Sequence, residues 1–189
     1  MKRKYELGKR AESQAETRRR IVEAAIALHS TKGPARTTFS DVAAEAGVQR
    51  ATLYKHFPDE WELGIACSGL YREQNPPPDP EPWLLLQGEN RLQTGLRELY
   101  SFFERNRGMI ACCVADFAIH EPTRQLFELR FGAELARIRA VLAGPLPRRK
   151  GAQAALELAL AFPTWDQLTR SGLSSDAAAD VMVRSLLAQ

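Results

Sequence analysis

The sequence has little cysteine and little histidine, with three of each among its 189 residues. Cys67, Cys112 and Cys113 form no spaced framework, and an odd count with one adjacent pair favours reduced thiols over a disulfide scaffold. No Cys-x-x-Cys or His-x-x-x-His spacing is present, so no metal site is predicted. Oxidant sensing by the adjacent cysteines stays open, and it would require an exposed thiolate with a depressed pKa.

Long apolar runs and catalytic motifs are also missing. No stretch approaches the roughly 18 apolar residues of a membrane span. The opening MKRKYELGKR lacks the apolar segment of a signal peptide, so a cytoplasmic protein without a membrane partner is predicted. We find no Ser-His-Asp arrangement, no phosphate-binding glycine loop and no paired acid–base motif. Neither catalytic residues nor a cofactor is therefore predicted, and the chain is not expected to be an enzyme.

Positive charge is concentrated near the N-terminus. Residues 1–60 hold 12 Lys and Arg against 8 Asp and Glu, whereas the remaining residues hold 14 against 15. Within the first 20 residues the balance is 8 against 3. Such an excess at one end is what a polyanionic partner would require.

The pattern of apolar residues is helical along the whole chain. Ile21, Ala24, Ala25 and Leu28 follow the spacing of one helix face, which predicts a first helix of roughly 15 residues starting at Thr17. Similar stripes follow further along, and no alternating β-pattern of useful length occurs. The sequence therefore predicts an all-α fold of about nine helices.

Two short helices with a glycine between them follow the first helix. Thr38 and Asp41 have capping-box spacing, and Gly47 can take the left-handed conformation that ends a helix. A second short helix is predicted at about residues 49–56. This is the pattern of a helix-turn-helix, in which the second helix enters the DNA major groove.

The organisation predicted from these patterns has three parts. Residues 1–16 form a flexible basic arm, residues 17–62 a helix-turn-helix DNA-binding domain, and residues 63–189 a larger C-terminal domain. The proline-rich connector NPPPDPEPW lies near the start of the last part. In it, a long helix beginning at Thr123 and a continuous helix over residues 152–171 are expected.

The predicted DNA contacts lie around the second short helix. Arg50 has the fork that pairs with guanine, Thr52 offers a methyl or a hydroxyl group, and small Ala51 allows close approach to the groove. Side chains that follow can donate to phosphate, and a helix N-terminus favours anions. The complete predicted set is Thr38, Gln49, Arg50, Ala51, Thr52, Tyr54, Lys55 and His56.

Residues 18–63 resemble the N-terminal module of the TetR family of transcriptional regulators. The resemblance is carried by RRRIVEAAIALHSTKG, TTFSDVAAEAGV and QRATLYKHFPDEWEL. It implies a three-helix DNA-binding module, a C-terminal ligand-binding and dimerisation domain, and a homodimer formed through the last two helices. It further implies binding to a palindromic operator in double-stranded DNA and repression that a small molecule relieves. One departure is Glu60, where members commonly carry a lysine that contacts phosphate.

The ligand site is expected in the C-terminal domain, because such pockets are mainly apolar with a few orienting polar groups. An alternative stays open: a DNA-binding regulator or an interaction adaptor that has no small-molecule effector. The candidate ligand-binding residues are Tyr71, Tyr100, Phe103, Met109, Cys113, Phe117, His120, Phe127, Phe131 and Trp165.

Overall fold

The computed structural model describes the backbone of residues 2–188 and the side chains of residues 12–188. All regular secondary structure in this part of the chain is helical and none of it is β-strand, which confirms the predicted all-α class. None of its helices is both long enough and apolar enough to cross a membrane. The α-helices are α1 (Lys2–His29), α2 (Phe39–Glu45), α3 (Arg50–His56), α4 (Glu60–Gln74), α5 (Gly88–Arg105), α6 (Arg107–Asp116), α7 (Glu121–Phe127), α8 (Ala133–Ala143), α9 (Lys150–Leu160), α10 (Phe162–Arg170) and α11 (Ser175–Leu187).

The described chain thus has eleven α-helices rather than the nine expected. Ala161 is extended (φ −80°, ψ 126°) and separates α9 from α10, because Pro163 follows closely and occupies the first turn of the next helix. A π-helical turn, Glu128–Gly132, separates α7 from α8. The expected cap at Thr123 was also wrong: His120 precedes α7, and Thr123 is buried inside that helix.

Helix α1 is longer than expected. The predicted flexible arm of residues 1–16 lies partly outside the described residues, and its backbone from Lys2 onward is continuous with α1. Thr17 does not cap the helix, because its hydroxyl donates to the carbonyl of Ser13 at 2.8 Å from within α1. A polar extension of a helix needs no apolar stripe, so periodicity did not detect this one.

The chain forms two compact units. The N-terminal unit comprises Met1–Gln74 and Cys112–Arg130, and the C-terminal unit comprises Asn75–Ala111 and Phe131–Gln189. These limits do not follow the expected boundary between residues 62 and 63, because α4 and α7 pack together in the N-terminal unit. The division by function into an arm and two domains remains a prediction.

The core of the N-terminal unit is built by α1 to α4. Ile21 and Ala25 of α1 are fully buried, as are Leu53 of α3 and the adjacent Phe57. Each large apolar side chain removed from water contributes about 1.5–3 kcal/mol. The short helices α2 and α3 could not stand alone, so this shared core fixes their positions.

The C-terminal unit is centred on α5, whose apolar stripe is buried. Gly95 permits a close approach, since a Cβ there would lie 2.5 Å from Leu142 and 3.0 Å from Trp83. The small residues Ala178 and Ala179 of α11 are also fully buried, and α11 packs extensively on α5. These small residues therefore serve packing within the chain, and dimerisation through the last two helices remains a prediction.

Candidate nucleic-acid interface

Helices α2 and α3 form the predicted helix-turn-helix. The capping box is present, with the Thr38 hydroxyl accepting from the Asp41 amide at 3.1 Å and the Asp41 carboxylate accepting from the Thr38 amide at 2.8 Å. Gly47 has φ 64°, the left-handed conformation expected for it. The amide of Val48 donates to the carbonyl of Ala43 at 2.9 Å and closes the turn.

One side of α3 faces solvent and carries most of the predicted DNA-contacting residues. Leu53 is fully buried, so the opposite side of this helix is fixed on the core. The helix is short and amphipathic. Its exposed or half-exposed members are Gln49, Arg50, Ala51, Thr52, Tyr54, Lys55 and His56.

Arg50 and Tyr54 are neighbours one helical turn apart. Nη2 of Arg50 donates to the Tyr54 hydroxyl at 3.1 Å, and Cζ of Arg50 lies 5.5 Å from the centre of the tyrosine ring. The Tyr54 ring also packs against Phe39 of α2, with 5.1 Å between ring centres. Sequence reasoning missed Phe39, because a lone aromatic in the first turn of a helix resembles an ordinary core residue.

Thr38 already has hydrogen-bonding partners within the protein. Lys32 donates to the Asp41 carboxylate at 2.6 Å, and this bond together with those from Thr38 lowers the pKa of Asp41 to about 2. The carboxylate is therefore charged at neutral pH and lies where an anion was expected at the start of α2. A phosphate contact by Thr38 remains a prediction, with an adjacent negative charge that opposes it.

Two arginines in the second half of α1 also have partners in the protein. The guanidinium of Arg18 lies 4.1 Å from the centre of the Phe57 ring, a cation–π contact at the end of α3. Arg19 bonds the carboxylates of Glu16 and Glu23 at 3.0 and 3.3 Å. Both arginines therefore already contact groups within the protein.

Glu60, the departure noted in the sequence, has a partner. Nε2 of His120 lies 2.8 Å from its Oε1, and Nδ1 of His120 lies 2.7 Å from the Thr123 hydroxyl. His120 thus joins the start of α7 to the start of α4. Its predicted ligand contact is untested, and no sequence pattern signals a pairing over this separation.

The loop between α1 and α2 is held by a buried carboxylate that sequence reasoning missed. Asp116 is 2% exposed and accepts from the amide of Ala35 at 2.9 Å. Nearby, burial lowers the pKa of His29 to about 4, with the charge of His120 acting in the same direction. His29 is therefore neutral at pH 7, and its Nδ1 lies 3.7 Å from Sγ of Cys67. This supports a packing role for His29.

Five candidate ligand-binding residues, including His120, belong to the N-terminal unit. Phe117 and Phe127 meet edge to face with 5.1 Å between their ring centres. Burial raises the pKa of Tyr71 to about 12, and Cys113 contributes to that shift. Burial also raises the pKa of Cys113 to about 12. These side chains are therefore neutral, which suits an apolar environment.

The other five candidates belong to the C-terminal unit. Tyr100 is fully buried, and its hydroxyl donates to the carbonyl of Ala159 at 2.9 Å. Trp165 is equally buried and donates to the Ser175 hydroxyl at 3.1 Å. Their polar atoms are therefore used in packing. Phe103 packs against both of these rings, Phe131 lies 6.5 Å from Phe102, and Met109 is half-buried.

The cysteines show no sign of redox activation. All three are present as thiols, and the pKa of Cys112 is raised by burial and by Asp116. Burial likewise raises the pKa of Cys67 to about 12. A raised pKa disfavours the reactive thiolate. Among the described side chains, no cluster of three or more His, Cys, Asp or Glu is placed to hold a metal ion.

Comparison with known proteins agrees with this geometry. Residues 21–67 match the family described as bacterial regulatory proteins, tetR family. Over 52 residues the chain is 46% identical to the HTH-type transcriptional regulator TtgR of Pseudomonas putida. The matched segment covers 28% of this chain and 25% of TtgR. The match thus spans about a quarter of the relative's length.

Solved structures extend the likeness over nearly the whole chain. HlyIIR, a hemolysin II transcriptional regulator, is similar with a TM-score of 0.68 and 16% identity, covering 92% of this chain and 98% of that one. FadR from Bacillus subtilis, solved with stearoyl-CoA, has a TM-score of 0.58 and 16% identity, covering 88% of this chain and 96% of its own. At such low identity these likenesses show the fold, which is the one predicted.

Proposed function

We propose that this chain, which belongs to the TetR family of bacterial regulatory proteins, is a sequence-specific DNA-binding transcriptional regulator. In its most concrete form, the proposal is a homodimeric repressor that a small, mostly apolar ligand releases from a palindromic operator. The observation that carries it is the exposed position of Arg50 in the first turn of α3, a helix that is anchored to the core by buried Leu53. This is how a recognition helix is presented to the major groove.

Affinity and specificity would come from different side chains. Arg50 is placed to read a base edge, where a bidentate pair with guanine discriminates by about 1–3 kcal/mol. Lys55 is exposed in the last turn of α3, where it can neutralise a phosphate without reading sequence. Two copies related by a two-fold axis would read half-sites about 34–36 Å apart, or a multiple of that spacing.

Release by a ligand is supported by contacts within the N-terminal unit. Arg130 donates to the carbonyl of Ile65 at 2.8 Å and to the Ser68 hydroxyl at 3.2 Å. A Cβ on Gly64 would meet Leu126 at 2.5 Å, so α4 and α7 are closely packed. A ligand that moves α7 would therefore move α4, which follows the recognition helix directly. The ligand must bind the two conformations with different affinity.

The test begins with selection of bound duplexes from a random pool. The best sequence is then titrated with wild type, Arg50→Ala and Lys55→Ala at several salt concentrations. Arg50→Ala should cost about 1–3 kcal/mol and relax preference at one base pair. Lys55→Ala should weaken all sequences alike and lower the salt slope by about 1. Unchanged selectivity in an Arg50→Ala, Thr52→Ala double variant would contradict the assignment.

The ligand class is tested separately. Apolar carboxylates and their acyl-CoA thioesters are the first candidates, because the phenylalanines of the N-terminal unit and the complex of FadR point to apolar chains. By linkage, a true effector weakens DNA binding by the same factor by which DNA weakens effector binding. Unequal factors in the two titrations would mean that the compound acts in another way.

A regulator without a small-molecule effector is the second candidate. It is favoured by the internal hydrogen bonds of Tyr100 and Trp165, which leave these predicted ligand contacts committed to packing. The two candidates differ in one measurement. An effector-responsive repressor releases selected DNA with some member of an apolar compound set, whereas this alternative releases it with none.

A further inference from the structure

Among the side chains on α3, Arg50 is held by an aromatic support. Its Nη2 donates to the Tyr54 hydroxyl at 3.1 Å, and the Tyr54 ring rests on Phe39 at 5.1 Å with 47° between the ring planes. We infer that Tyr54, supported by Phe39, is a positioning residue that aims the Arg50 guanidinium and so sets specificity at the base pair that Arg50 reads. The inference rests on the proposed function.

The chemistry of the pair explains why orientation follows from it. Arginine has only donors, so the phenol oxygen accepts and leaves the other guanidinium N–H groups available. Arg50 and Tyr54 are four residues apart, which places them on the same side of the helix. A bidentate contact needs both donors aligned with the base, and a long side chain held in advance loses less freedom on binding.

The support reaches across the helix-turn-helix. Phe39 is the first residue of α2 and lies between Thr38 and Asp41, the two residues of the capping box, so its backbone is fixed. It is half-buried and packs against the core of the N-terminal unit. Tyr54 is 43% exposed, and its ring packs against Phe39. Both short helices thus determine where the guanidinium points.

Sequence alone suggests another role for Tyr54, a direct phosphate contact. The phenol hydrogen can still donate while its oxygen accepts from Arg50, so the geometry permits this role. The two roles predict different effects of removing the Tyr54 hydroxyl on DNA binding. A phosphate contact carries no base information, so its loss weakens every duplex equally. A positioning contact matters only when Arg50 is present.

The experiment is a double-mutant cycle on selected DNA. Tyr54→Phe keeps the ring and removes the hydroxyl, and it is combined with Arg50→Ala. Dissociation constants are measured for the best duplex, for its single-base variants and for an unrelated duplex. We expect Arg50→Ala to reduce discrimination at one base pair by roughly 5- to 150-fold. Tyr54→Phe should reduce it at the same pair by roughly threefold or more and have no effect in the Arg50→Ala background.

Two further variants complete the test. Phe39→Leu keeps apolar bulk, and we expect it to relax the same base pair while the protein stays folded, as circular dichroism would show. Lys55→Gln, on the same helix, is the matched control and should weaken all duplexes alike.

The possible failures are distinguishable. A uniform loss in Tyr54→Phe that persists in the Arg50→Ala background would overturn the positioning role and leave the proposed function standing. A wild-type chain that selects no sequence would overturn the proposed function itself, and this inference with it.

Discussion

Replacing Gly33 with alanine should destabilise the protein more than the same change at any other positive-φ glycine of the described chain. Gly33 precedes the turn between α1 and α2 with φ 89° and ψ 151°, a region that is almost exclusive to glycine. A Cβ there would lie 2.8 Å from Oδ2 of Asp116, whose side chain is buried and has little room to move away. Steric overlap therefore adds to backbone strain.

The magnitude follows from three contributions. Backbone strain costs about 1–3 kcal/mol at such a φ and ψ. Displacing the carboxylate weakens its bond from the Ala35 amide, which is worth about 1.5–3 kcal/mol because the acceptor is charged. Alanine also reduces the conformational freedom of the unfolded chain, which stabilises the folded protein by about 0.4–1 kcal/mol. We expect Gly33→Ala to lower the free energy of unfolding by about 2–4 kcal/mol.

Gly47→Ala is the matched control. Gly47 also has a positive φ, 64°, but no atom lies within 4 Å of a Cβ placed there. Only strain remains, and we expect a net loss of about 0.5–1 kcal/mol. Urea unfolding followed by circular dichroism gives both values, provided that the slope with denaturant is unchanged. Adding Asp116→Ala should cost less in the Gly33→Ala background than alone. Equal stability of the two glycine variants would refute this reasoning.

Two further predictions concern pH. Asp41 has a folded pKa of about 2, below its ordinary value, so the stability that it contributes is complete above pH 4 and is lost as the pH falls towards 2. Wild type should therefore melt at a lower temperature at pH 2.5 than at pH 5, and this difference should be smaller in Asp41→Asn. His29 has a folded pKa of about 4 against an ordinary 6.5, so the unfolded chain binds its proton first and stability falls as the pH drops from 6.5 to 4. His29→Gln should flatten that fall, and an unchanged profile in the variant would mean that another group is responsible.

The helix-turn-helix could be predicted because its signals are local. The box of Thr38 and Asp41 and the left-handed glycine at residue 47 each depend on neighbours within one or two turns. The burial of Leu53, by contrast, requires the core that α1 to α4 share. The predicted start of the first helix at Thr17 was wrong. A polar helix extension has no periodic stripe, and a threonine hydroxyl can bond back to the preceding turn as readily as it can cap.

The bridging residues could not be predicted, because they join segments far apart in sequence. Asp116 bonds Ala35 across 81 positions, and Arg130 bonds Ile65 across 65. A buried carboxylate is satisfied by whichever backbone amide the fold brings to it, and one sequence does not identify that amide. The break at Ala161 was different, because Pro163 was visible and its effect on the preceding residues was overlooked.

Glu60 shows how a departure in the sequence acquires a meaning from the structure. From sequence, a carboxylate in place of the usual lysine indicates only the loss of a phosphate contact. In the structure the Glu60 carboxylate lies 2.8 Å from Nε2 of His120, and the Thr123 hydroxyl lies 2.7 Å from Nδ1 of the same ring. The first turn of α4 is thus joined to the start of α7. Because only a short turn separates α3 from α4, we expect this contact to make the position of α3 depend on that of α7.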